Sequence, residues 1–150
     1  MPQPNTYAKK IGQLYLAIHT KVPPTDQEWE DSIRQMPPNA ENIRTLVFTD
    51  GGAPNKAQRK RLSEQTGGKD FRTAVLSYSL IPRFVNASIS LFIKSMRSFN
   101  PEEFPLAIEY LQITEDEKKL LLPEILAIQK KLGEENVKTV TRALKSAQWI

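Results

Sequence analysis

The stretch Ile43-Arg44-Thr45-Leu46-Val47-Phe48-Thr49, closed by Asp50-Gly51-Gly52, decides the fold. It is short, nearly continuous in apolar and β-branched residues, and bounded by a turn signal, which marks a central strand covered on both faces. Working outward, residues 54–65 form a polar helix, with Pro54 suited to the first turn and Gly67-Gly68 ending it. Residues 71–78 are again a strand. Residues 80–93 are a strongly apolar helix that tolerates Pro82 in its first turn, and 96–99 are a short strand. Pro101 then opens a helix that buries Phe104, Ala107, Ile108 and Leu111. Upstream, residues 12–20 place Leu14, Leu16 and Ile18 on one strand face and Tyr15 on the other. Pro23-Pro24 stops that strand. Thr25 with Glu28 makes a capping box for a helix over 26–36 that carries Trp29, Ile33 and Met36 at helical spacing and ends at Pro37-Pro38.

Strand and helix therefore alternate four times with short connections. This is the sequence form of β-α-β units and predicts an α/β fold with a mixed or mainly parallel sheet of about four strands flanked by helices. From Thr114 onward only helix patterns occur. Leu121, Ile125, Ile128 and Leu132 share one stripe, Gly133 breaks it, and Val137, Val140, Thr141 and Leu144 form a second. The reading is a C-terminal helical hairpin, split or kinked at Pro123, which lacks an amide donor. Residues 1–10 read as a flexible N-terminus, 11–112 as the α/β domain and 113–150 as a helical extension packed on it.

Composition narrows the function classes. The chain has 150 residues, 39% hydrophobic and 25% charged, within the range of ordinary globular domains. It has no cysteine, which excludes disulfides, thiolate metal sites and cysteine nucleophiles and makes a cytoplasmic location the default. No run of eighteen apolar residues and no leader pattern is present, so neither export nor a transmembrane segment is expected. The net charge of +4 divides into +6 over residues 1–100 and −2 over residues 101–150. It is too small, and too free of interleaved aromatics, for a strong nucleic-acid signal.

Catalytic motifs are missing. His19, the sole histidine, reads as a surface or strand-end residue without metal-ligand spacing around it, and no metal site is expected. There is no Gly-x-Ser-x-Gly elbow. The acidic pairs at Glu102-Glu103, Glu115 to Glu117 and Glu134-Glu135 stand at helix starts, where they complement the helix dipole. The chain is read as a non-enzyme without a cofactor.

Several of these residues resemble the STAS superfamily, which includes the bacterial anti-sigma-factor antagonists. They are the run from Thr45 to Pro54, the Gln58-Arg59 helix, the strand after Phe71, the apolar helix from Leu80, and Phe99-Asn100-Pro101-Glu102-Glu103 leading to Tyr110-Leu111. The resemblance spans about residues 10–112. It implies a compact domain that docks regulatory proteins, often under control of a phosphorylated serine or threonine at the start of the helix after the second long strand. Here residues 50–55 hold no hydroxyl, so that phosphorylation switch is not expected.

Two places could carry binding. Asp50, Gly51, Gly52 and Asn55 lie where a central strand meets a helix N-terminus, and Lys56 and Arg59 follow in a basic cluster with Lys60 and Arg61. The segment reads either as a plain turn beside a solvated face, or as a docking or anion site using free amides. The helix over 80–93 has apolar residues on more than one stripe. Its Ile81, Phe84, Val85, Ile89 and Phe92 form an interface, either with a partner or second copy in a homodimer, or with the C-terminal hairpin. The function expected is therefore regulatory protein-protein interaction. The alternative is a small-ligand module taking a lipid, nucleotide or anion at the strand-to-helix turn.

Overall fold

The apolar run at residues 43–49 lies where its composition puts it, in the middle of the sheet. The computed structural model describes residues 4–36, 42–68, 71–78 and 95–150. Among these a five-stranded sheet runs in the order β1-β2-β3-β4-β5. β1 (Thr6–Ile11) pairs antiparallel with β2 (Leu14–His19), while β2, β3 (Arg44–Thr49), β4 (Arg72–Ser77) and β5 (Met96–Phe99) run parallel. The fold is α/β, with a mixed and mostly parallel sheet.

Residues 6–10, read from sequence as a flexible N-terminus, instead belong to β1. The turn into β2 has only two residues, Gly12-Gln13, with Gly12 at φ +59°, the first-position geometry of a type II′ hairpin. Thr6 and Ala8 are buried on one face and Tyr7, Lys9 and Ile11 half-buried on the other, while Lys10, beyond Ala8 on the first face, is exposed at this edge strand.

The strand order follows the chain without reversal, so right-handed crossovers place the described connecting helices, one after β2 and one after β3, on the same side of the sheet. α1 (Asp26–Ile33) links β2 to β3 and α2 (Lys56–Thr66) links β3 to β4. They lie over the face carrying Tyr15, Ala17 and Val47. The opposite face, with Leu14, Leu16, Ile18, Leu46, Phe48 and Leu76, needs cover from elsewhere. α3 (Phe104–Leu111), α4 (Glu115–Leu132) and α5 (Lys138–Ser146) supply it. α3 lies over β3, β4 and β5, α4 over β1 and β2, and α5 over β3 and β4. Phe104 sits edge-on to both Phe48 and Trp149, joining sheet, α3 and the C-terminus in one cluster.

α4 is one span that runs through Pro123 rather than splitting there. Pro123 is on the exposed side, where water can serve the carbonyl that has lost its donor, and Leu121 and Ile125 hold both halves against the sheet. At the other end of the sheet, Arg44 donates to the carbonyls of Leu111 (2.9 Å) and Gln112 (3.1 Å), closing the C-terminus of α3. It also pairs with Glu117 in the first turn of α4 and holds that carboxyl below the usual carboxylate range. No helix among the described residues is long and apolar enough to cross a membrane.

Candidate binding cavity

The turn after β3 is built into the fold rather than presented to solvent. The Asp50 carboxylate accepts from the amides of Lys138 (2.7 Å) and Thr139 (2.9 Å), capping α5 from a distance of 88 residues along the chain. The Thr139 hydroxyl returns a bond to the Thr49 carbonyl (3.1 Å). The amides of residues 50, 51 and 52 are all taken: Asp50 donates to the His19 carbonyl, Gly51 to the Thr49 hydroxyl, and Gly52 to the Thr20 carbonyl. These three form no cradle of free amides for an anion, because each already serves the clasp between β2, β3 and α5.

Asn55 is likewise occupied, as the N-cap of α2 in a reciprocal box with Gln58. Lys56 points outward and is exposed. Arg59, one turn further on, is half-buried and faces inward. Ile81, Phe84, Val85, Ile89 and Phe92 lie outside the described residues.

Inward of α2 the structure holds a cavity that periodicity did not reveal. Its volume is about 100 Å³, and it lies between the sheet face of Tyr15, Ala17 and Val47 and the inner sides of α1 and α2. It exists because α2 has too little apolar surface to fill the space: Leu62 is the one large apolar side chain it sends there, beside Ser63 and Thr66. Most sheet side chains facing it are small or β-branched, Ala8, Ala17, Val47 and Val75 among them. A void of this size left empty would cost about 2 kcal/mol, by the usual penalty per unit of cavity volume.

The walls are held rigidly. The Trp29 indole donates to the Gln58 carbonyl (2.7 Å), and the Gln58 amide donates to the Pro24 carbonyl (3.1 Å) and to Asp26 (3.0 Å), locking α1 to α2. The Tyr15 hydroxyl donates to the Ser32 carbonyl (2.5 Å), and its burial pushes the phenol well above its usual range.

Two polar side chains on the cavity wall stand apart. His19 is buried, not a surface residue, and stacks near Trp29 with ring centroids 6.5 Å apart. Its Nδ1 lies 2.7 Å from the Thr6 hydroxyl, which is also within 3.2 Å of the Ile18 carbonyl. The second is Arg59. One terminal nitrogen donates to the Pro54 carbonyl (3.1 Å), but Nε is buried with no hydrogen-bond partner. Among the described residues no carboxylate pairs with this guanidinium and none lines the cavity. The described residues contain no group of three His, Asp or Glu side chains placed to hold a metal.

No family model, curated protein or solved structure matches the chain. The reading of the cavity therefore rests on its own geometry.

Burial of His19 has a measurable consequence. Desolvation lowers its pKa from 6.5 to about 4, against a weaker opposing pull from Glu28. The unfolded chain takes up this proton near pH 6.5 and the folded chain only near 4. The stability present above pH 6.5 is therefore lost as pH falls through that window, by about 2 kcal/mol between pH 7 and 5. Urea denaturation of the wild type and of His19→Gln at both pH values measures it. The slope should flatten in the variant, and an equal slope in both proteins would remove His19 as its source.

Proposed function

We propose that this chain is a non-enzymatic regulatory binding domain that holds a small, largely apolar ligand in the cavity behind α2. The observation that carries the reading is the cavity itself. It is a walled space of about 100 Å³, of the order of the engineered apolar cavities of about 150 Å³ that take up benzene-sized molecules, and it is fixed in shape by the Trp29–Gln58 bond. A pre-formed, mainly apolar hollow with a few placed polar groups is the usual form of a small-molecule site.

Filling the space tests the proposal. Ala17 is on β2 with its methyl at the cavity wall. Ala17→Leu adds three carbons, each worth about 0.8 kcal/mol when buried, so the variant should be at least as stable as the wild type. It should also fail to bind octan-1-ol, which should raise the thermal midpoint of the wild type. Equal response of both proteins to the alcohol would count against the cavity as the site.

The resemblance to STAS domains supports a second element of the same reading, docking of a regulatory protein partner in the cytoplasm without a phosphorylation switch. The outer face of α2 favours it. Lys56 and Lys60 are exposed there, and neither forms an ion pair among the described residues, leaving a cationic surface for an acidic partner. Homodimer formation belongs to the same proposal and is read by light scattering on the purified chain.

A further inference from the structure

Resting on the cavity reading above, we infer that the ligand is a small monocarboxylate, with an apolar body of roughly six to eight carbons and its carboxylate set against Arg59. The size follows from the volume of about 100 Å³, which is comparable to the space that takes a single aromatic ring and too small for a nucleotide or a full-length acyl chain. The body is apolar because apolar side chains, Ala8, Ala17, Ile33, Val47, Phe71 and Val75 among them, supply most of the wall.

The charge follows from Arg59. A guanidinium presents its donors in a fixed planar fork and stays protonated, so a buried Nε–H without an acceptor is a costly vacancy. Pro54 satisfies one terminal nitrogen and nothing satisfies Nε. Because no carboxylate among the described residues lines the cavity, this cation is not neutralised on that side. His19 does not add a second charge at neutral pH, since its proton is lost well below 7. One uncompensated positive charge on an apolar wall selects a single negative charge. A carboxylate can accept from Nε and from a terminal nitrogen together, the bidentate arrangement that this group favours. A neutral alcohol of the same shape can accept one hydrogen bond but gains no charge pairing and no bidentate contact, and a cation is repelled.

The test uses the full chain at pH 7.5 with three probes of equal length, sodium octanoate, octan-1-ol and octylamine, followed by calorimetric titration. Octanoate should bind at least tenfold more tightly than octan-1-ol, and octylamine should bind weakest. Arg59→Met keeps an unbranched apolar stem and removes the charge. It should bring octanoate down to the affinity of the alcohol while weakening the alcohol far less than octanoate, a selective loss that a general loss of structure would not give. Arg59→Lys restores the charge without the fork and should recover part of the preference. If octanoate and octan-1-ol bind the wild type equally, the carboxylate assignment is wrong and the cavity stands. If none of the three binds, the cavity reading and this inference fall together.

Discussion

A chain ending at Gln112 should not fold. Removing residues 113–150 takes away α4 and α5, and with them Leu121, Ile125, Ile128, Leu132, Val140 and Leu144, all buried against the sheet. α3 still covers β3 to β5, but β2 loses its cover on this face, because α4 is the helix that lies over β1 and β2. Leu14, Leu16 and Ile18 then face water. Each such side chain contributes about 1.5–3 kcal/mol when buried, and the partners lost from α4 contribute as much again, so the deficit reaches the whole 5–15 kcal/mol by which a domain of this size is ordinarily stable. The salt bridge from Lys9 to Glu124 (2.9 Å) and the Asp50 cap on α5 go as well. Circular dichroism and gel filtration of the truncated chain should show an unfolded or aggregated species. A cooperative melt from residues 1–112 would mean that the hairpin is a separate module merely resting on the sheet.

The strand order explains why this hairpin is obligatory. In a sheet that winds back on itself, crossover helices reach both faces. Here the order β1 to β5 never reverses, α1 and α2 both lie on one side, and the helices after β5 close the other. The sequence announces the hairpin as two apolar stripes, and it announces β3 as an apolar run too short for a helix. What it does not announce is which face the stripes cover, since that depends on strand order.

Other features were legible to different depths for physical reasons. The Thr25–Glu28 capping box could be read directly, because both partners lie within one turn of the same helix. Asp50 could not be read as the cap of α5, because its partners are Lys138 and Thr139. β1 was obscured by Lys9 and Lys10, which break the apolar alternation, although Gly12 at the head of a two-residue turn was a usable signal. The cavity was the least legible feature. Periodicity tells which side chains share a face, not whether the facing helix is bulky enough to fill the space between. Leu62 standing almost alone on the inner side of α2 was the one trace of it in the sequence.

Gly52→Ala should be the most damaging single substitution in the turn, costing about 3 kcal/mol or more. A Cβ on Gly52 would stand 2.5 Å from the carbonyl oxygens of both Thr20 and Val22 and 3.0 Å from the Val22 carbonyl carbon. All three are backbone atoms and cannot swing aside as a side chain can, so the segment joining β2 to α1 has to move. That movement breaks the bond from the Gly52 amide to the Thr20 carbonyl (2.8 Å) and disturbs Pro24, whose carbonyl receives the Gln58 side chain. Because Gln58 in turn seats Trp29, the damage spreads to the α1–α2 wall of the cavity. Gly67 provides the control. It has φ +64° at the C-terminus of α2, and a methyl added there would meet nothing within 4 Å, so Gly67→Ala carries only the left-handed backbone cost of about 1–2 kcal/mol. Urea denaturation of the two variants should separate them clearly, with Gly52→Ala the less stable and, where it still folds, impaired in binding octan-1-ol. Equal losses for the two would show that the close packing of the turn against residues 20–22 is relaxed in solution.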